Sequence, residues 1–153
     1  MELGDLITPE AVIPALKAKA KKQVLQELAE KASGLTGLDP REIFDALLQR
    51  ERLGSTAVGR GIAIPHGRLP ALKNIVSVFA RLERPIDFDA VDGEPVDLIF
   101  LLLAPEHAGA DHLKALARIS RLLREPQTIE RLRASHDRAS LFSALTDPVV
   151  HAA

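Results

Sequence analysis

The 153-residue chain has no cysteine, no tyrosine and no tryptophan, and its aromatic content is 3%, all of it five phenylalanines. The missing cysteine removes disulfides, thiolate catalysis and thiolate metal sites at once, and it fits a reducing compartment. The missing Tyr and Trp remove the stacking platforms that single-stranded nucleic acids use. Charge of one sign is not in excess either: 20 Lys and Arg stand against 21 Asp and Glu, a net charge of −1. Binding to nucleic acid or to an anionic membrane therefore finds no global support. Long apolar runs are lacking too. The longest is Leu98 to Ala104, seven residues ended by Pro105, against the roughly 20 that a membrane-spanning helix needs. The first residues, Met-Glu-Leu-Gly-Asp-Leu-Ile-Thr-Pro, carry neither the basic nor the apolar region of a signal peptide. The expectation is one cytoplasmic domain spanning residues 1–153, with a composition (46% hydrophobic, 27% charged) ordinary for a globular core.

What is present reads as helices, then strands, then helices. Pro9, Val12, Ile13 and Pro14 make an irregular or strand-like opening. Lys19 to Ala32 has helical spacing at Val24, Leu25, Leu28, Ala29 and Ala32, with Ser33-Gly34 expected to stop it. Asp39 as N-cap, Pro40 at the first helical position and Glu42 in the first turn open a second helix, which runs to about Arg52. Strands are expected over Ala57 to Ile64, Ile75 to Leu82 and Val96 to Leu103, with turn chemistry at Asp92-Gly93 between the last two. The third strand is apolar on both faces, as in the centre of a covered sheet. Helices over Asp111 to Arg124, Pro126 to Leu132 and Arg138 to Leu145 complete the pattern. The fold class this implies is α/β (α+β): a sandwich with a small mixed β-sheet flanked by helices.

The segment Val58-Gly-Arg-Gly-Ile-Ala-Ile-Pro-His-Gly-Arg68 holds the most chemistry. It puts His66 at the end of a β-branched strand, between Pro65 and Gly67, with Gly59, Gly61 and Gly67 leaving little bulk near the ring. Ser55 and Thr56 offer hydroxyls at the start of the same strand, and Arg50 and Arg52 lie just upstream. A phosphoryl group carries charge on its equatorial oxygens, so a site that transfers one needs donors and cations around a nucleophile. Neutral imidazole is such a nucleophile near pH 7. The alternative for His66 is a hydrogen-bonded structural histidine, and for Arg50 a cation suiting the end of a helix dipole.

His112 follows Asp111 in the expected first turn of the long amphipathic helix, where free N–H groups favour an anion; its alternative is a solvent-facing histidine. His107 and His112, with Glu106 and Asp111 beside them, raise the question of metal. Their spacing crosses a loop and fits no strong zinc pattern, so neither metal nor cofactor is expected. A metal-dependent hydrolase using His66, His107 and His112 is the weaker alternative. His136 and His151 read as solvated. No Walker-type loop, Gly-x-Ser-x-Gly or Rossmann glycine pattern is present.

Arg50-Glu-Arg-Leu-Gly-Ser-Thr56 and Gly61-Ile-Ala-Ile-Pro-His-Gly67 closely resemble the IIA components of the bacterial phosphoenolpyruvate-dependent phosphotransferase system, mannitol/fructose class. Asp87-Phe-Asp-Ala-Val-Asp-Gly-Glu-Pro-Val-Asp-Leu-Ile-Phe100 and His112-Leu-x-x-Leu-x-x-Ile-x-x-Leu-Leu123 extend the likeness over nearly the whole chain. Among branches it is most similar to the nitrogen-regulatory IIA proteins, with a Leu-Ile-Thr-Pro-Glu start and no fused permease domain. The resemblance implies a phosphocarrier of the EIIA type-2 fold. Its acceptor maps onto His66, its second histidine onto His112, its arginine onto Arg50 and a hydroxyl near the site onto Thr56. The implied donor is an HPr- or NPr-like phosphohistidine carrier. The implied readers are regulated proteins such as transporters or sensor kinases, or else the IIB domain of a sugar permease, so contact with membrane proteins is peripheral. His107 has no counterpart, and the roles of Glu106 and Asp97 stay open.

Overall fold

In a computed structural model, which describes residues 2–147, one six-stranded mixed sheet carries the chain's core. Short 3-10 turns at Leu3–Asp5 and Pro9–Ala11 lead into strand β1 (Val12–Leu16), where Val12 is fully buried. Helix α1 (Lys21–Thr36) buries Val24, Leu25, Leu28, Ala29 and Ala32, the expected stripe. It runs through Ser33-Gly34 and ends instead at Gly37, whose φ of 78° makes the left-handed cap. Gly34 therefore costs the helix some stability without breaking it. Helix α2 (Pro40–Arg52) begins as expected, with the Asp39 carboxylate accepting the Arg41 N–H at 2.9 Å.

The stretch expected as one strand over Ala57 to Ile64 is a hairpin. Strand β2 (Ala57–Gly59) turns back antiparallel onto β3 (Ile62–Ala63). The turn is made by three successive left-handed residues, Gly59 (φ 97°), Arg60 (φ 59°) and Gly61 (φ 79°). After Pro65 the chain resumes as β4 (His66–Leu69) in the span expected to be a connection. Strands β5 (Val76–Ile86) and β6 (Val96–Pro105) run four and two residues past their expected ends and pair antiparallel.

Beyond the sheet, α3 (Gly109–Leu122), α4 (Pro126–Ala134) and α5 (Arg138–Thr146) form, the last capped by Asp137 accepting the Ser140 N–H at 2.8 Å. Helix α3 starts two residues earlier than expected, at Gly109 rather than Asp111. His151, read as solvated, lies outside the described residues.

Strand β6 organises the sheet. Its order is β1-β5-β6-β3-β2, with β4 also on β6. On one edge β6 meets β5; on the other it meets β3 at Leu98 and Ile99, then β4 from Leu102 to Pro105, both in parallel. Strands β3 and β4 are thus two parts of one path interrupted at Pro65, which lacks an N–H but whose carbonyl still accepts from Leu102 N–H at 2.9 Å. Leu98 to Ala104 are all fully buried, as a strand covered on both faces must be. Phe79 and Phe100 cross edge to face at 6.2 Å in the core. Among the described residues, no helix is long and apolar enough to cross a membrane.

The glycines near Arg60 serve this hairpin and not the histidine. A Cβ on Gly61 would lie 2.5 Å from Arg133 Nη2 and 3.2 Å from the Pro95 carbonyl oxygen. Arg133 there grips the Asp97 carboxylate at 2.9 and 3.0 Å, which gives Asp97 a structural partner. Ile62 and His66 face Leu98 and Leu102, so four residues of strand, roughly 13 Å, separate hairpin and histidine. Gly61→Ala should destabilise the protein by about 1–3 kcal/mol through the strained left-handed backbone. Urea titration checks the loss, and the imidazole NMR signals of His66 should stay in place.

Candidate functional site

His66 opens β4 and is held there by pairing with Leu102 of the fully buried β6. Strand periodicity then puts Arg68, two residues on, on the same face. On the facing side, α2 packs over β4 and brings Arg50 from its last turn. Helix α3 supplies His112 from its fourth position. The four side chains line one open cleft of about 630 Å³. Ala46, Leu53, Leu113 and Leu116 give it apolar wall, and among the described residues no carboxylate lines it. Leu53 and Leu113 are exposed large hydrophobics, at 85% and 66%.

The hydrogen bonds define the proton positions. His66 Nδ1 lies 2.8 Å from the Ile64 carbonyl oxygen. A carbonyl only accepts, so Nδ1 carries the proton and Nε2 holds the lone pair. Arg50 Nε donates to that Nε2 at 3.2 Å, and Arg50 Nη1 donates to the Gly54 carbonyl at 3.0 Å.

A second pair mirrors the first: Arg68 Nε donates to His112 Nδ1 at 3.1 Å. The neutral His112 therefore carries its proton on Nε2, which is buried and has no hydrogen-bond partner among the described residues. A buried donor left unmatched costs free energy until an acceptor arrives. The two imidazoles stand 5.8 Å apart, nearly perpendicular at 77°.

Both histidines are held below the usual imidazole range. For His66 the causes are burial first, then the Arg50 cation, opposed by the Ile64 hydrogen bond and by Glu51. For His112 they are burial, His66 and Arg68. The site is thus two neutral imidazoles flanked by two guanidiniums: one lone pair and two cations beside an open space, with one unmatched N–H of His112 buried behind it. It can hold a tetrahedral dianion beside a nitrogen nucleophile.

Of the residues singled out in the sequence, His66, His112 and Arg50 come together. His112 does not present free backbone N–H groups, because its own donates to Ala108 at 2.7 Å, and its side chain turns inward at 4% exposure. Thr56 lies outside the cleft lining; it is buried, with its hydroxyl donated to Glu51. Ser55 donates to the Phe88 carbonyl at 2.6 Å, and Arg52 is exposed. His107 lies in a separate depression with Lys73 and Asp111, and His136 is exposed. Among the described residues, no group of three His, Asp or Glu could hold a metal.

Two residues escaped the sequence reading. Arg68 was legible from the period-two spacing to His66. Glu51 was legible from its place four residues after Leu47, itself four after Ile43, on the buried stripe of α2.

Known proteins carry the same plan. A family model, the phosphoenolpyruvate-dependent sugar phosphotransferase system EIIA 2, matches residues 5–147. The chain is 61% identical over 153 residues, 100% of both chains, to the nitrogen regulatory protein of Bradyrhizobium diazoefficiens. The crystal structure of the nitrogen regulatory protein IIA-Ntr from Neisseria meningitidis superposes with a TM-score of 0.89 at 33% identity, covering 94% of this chain and 99% of that one. The fructose-specific EIIABC component of Bacillus subtilis is 34% identical over 80% of this chain, which matches 20% of that much longer protein. The sheet built on β6 and the motifs around His66 thus sit inside one continuous match: this chain belongs to the EIIA 2 family of the phosphoenolpyruvate-dependent sugar phosphotransferase system.

Proposed function

We propose that the protein is a regulatory phosphocarrier in which His66 Nε2 accepts a phosphoryl group from a phosphohistidine on a small HPr-like carrier. The observation that carries this is the proton arrangement in the cleft: the Ile64 carbonyl fixes the lone pair of His66 on Nε2, where Arg50 meets it, and the His112 ring stands 5.8 Å away. In the transfer, the donor's N–P bond breaks, its electron pair staying on the donor nitrogen, as the His66 Nε2–P bond forms. Attack makes the His66 ring cationic. The Ile64 carbonyl, already accepting from Nδ1, stabilises that charge.

Arg50 leaves Nε2 for the phosphoryl oxygens, and His112 Nε2–H and Arg68 offer further partners for them. Donor and product are both phosphohistidines, so the transfer runs close to thermoneutral, and catalysis is positioning plus charge stabilisation. Thr56 serves the site from behind, through Glu51.

Full-length identity to a nitrogen regulatory protein favours phosphorylation as a signal. The group adds up to about two negative charges to a cleft lined by Arg50 and Arg68 and, among the described residues, by no carboxylate, which changes what docks there. The likeness to a fructose-specific component supports the second reading, onward transfer to a IIB domain. Phosphorylation-dependent capture of proteins other than IIB domains separates the two.

Incubation with phosphoenolpyruvate, enzyme I and an HPr-type carrier should add one acid-labile phosphate, mapped by intact mass and peptide analysis to His66. His66→Ala should take up none, and His112→Ala should load about a hundredfold more slowly, as when one donor to a developing charge is lost. Full-rate loading of His66→Ala would overturn the assignment.

The pH dependence follows from the lowered values of His66 and His112, whose ordinary value is 6.5. Loading should stay flat as pH falls to 6.5 and decline only below it, where the ring protonates. Folding stability should fall in the same window, because the unfolded chain takes up protons on these groups first. Two-dimensional NMR titration of the imidazoles, beside a rate–pH profile, measures both.

A further inference from the structure

Arg50 can meet His66 only if something holds its guanidinium in place, and its second bond goes to the carbonyl of an exposed glycine, Gly54. That loop, residues 53–56, is lashed down from behind. Glu51 follows Arg50 on α2 and is buried at 8% exposure. Its carboxylate accepts the Thr56 N–H at 3.2 Å and the Thr56 hydroxyl, and pairs with Lys21 Nζ of α1 at 2.9 Å. Lys21 also lies 4.8 Å over the Phe88 ring and 3.4 Å from Asp89. Ser55 completes the lashing by donating to the Phe88 carbonyl at 2.6 Å.

A buried carboxylate is expensive unless matched, and here one cation and two donors match it. Two helices and the 88–89 segment therefore meet through the Glu51–Lys21 pair, behind the loop that orients Arg50. None of these groups touches the cleft.

We propose that Glu51 is a positioning residue for phosphoryl transfer at His66: its carboxylate locks Thr56 and Lys21 together and so fixes the Gly54 carbonyl that holds Arg50 against His66 Nε2. This rests on the phosphocarrier reading. It explains why a hydroxyl at position 56 serves the site without reaching it. It also puts a negative charge near the Arg50–His66 pair, so Glu51 opposes the lowering of the His66 value.

The test compares full-length wild type, Glu51→Gln, Thr56→Val and Thr56→Ser. Two readouts are taken on each: the single-turnover loading rate from a phosphorylated HPr-type carrier, and the His66 NMR titration midpoint. Glu51→Gln should load roughly tenfold more slowly, as a displaced catalytic group does, with a lower His66 midpoint. Thr56→Val should show a smaller loss of rate, and Thr56→Ser should restore it.

If Glu51→Gln does not fold, Lys21→Met/Glu51→Gln, which leaves no buried charge unpaired, carries both readouts. Loading of Glu51→Gln, or of that double variant, at the wild-type rate would overturn the proposal and leave the phosphocarrier reading standing. A wild type that takes up no phosphate defeats the phosphocarrier reading instead. The midpoint then still decides whether Glu51 acts on His66: an unchanged midpoint rejects it and a lowered one retains it.

Discussion

The hydrogen bond between His66 Nδ1 and the Ile64 carbonyl decides which nitrogen of the ring is available. An imidazole free to tautomerise would offer its lone pair on either nitrogen, and an incoming phosphorus would meet the reactive one only part of the time. With Nδ1–H committed to a carbonyl two residues back, Nε2 is the lone pair in every neutral ring, and it faces Arg50 and the cleft. The bond also provides an acceptor for the proton of the cationic ring that forms on attack. The geometry that fixes it is the short extended path Ile64-Pro65-His66, in which the proline breaks the ladder between β3 and β4.

That path is rigid because of what lies beside it. Strand β6 is buried along its whole apolar run and pairs His66 with Leu102. A ring mounted there moves little, which suits chemistry that depends on position more than on strong acid–base groups. The helices bring the charged groups to this fixed point, Arg50 from α2 and His112 from α3, while Arg68 rides on β4 itself. Each Arg–His pair joins β4 to a helix, and each guanidinium adds to the burial that keeps its imidazole neutral. Exposed Leu53 and Leu113 leave a rim against which another protein's apolar surface can seat.

Much of this could be read from residue order. The buried stripes of α1 and α2, the caps at Asp39 and Asp137 and the two-sided burial of β6 follow from local periodicity and hydrogen-bonding chemistry. Where structure and sequence differ, the cause is shared. Gly59 and Gly61 are near His66 in sequence, which reads as space around the ring. A left-handed turn sent them to the far end of the strand, against Asp92 and Arg133. Ser55 and Thr56 lie near His66 in sequence too, and their hydroxyls turn to partners behind the cleft. Proximity along an extended chain is a poor guide to contact, since a few residues of strand already exceed the reach of a side chain.

The residues by themselves determined the kinds of chemistry available: no thiol, no Tyr or Trp, balanced charge, and one histidine bracketed by proline and glycine in a motif that marks its family. They also determined where the helices and the two long strands β5 and β6 form, because 3.6- and 2-residue periodicities are local properties. Only the tertiary structure decided that His112 faces inward, that Arg68 belongs to the site, and that Glu51 stands behind Arg50. Those facts rest on contacts between residues as far apart as 44 positions, from Arg68 to His112. Such contacts arise only when distant elements pack, and packing is set by the shape of the whole core, not by any stretch of sequence read alone.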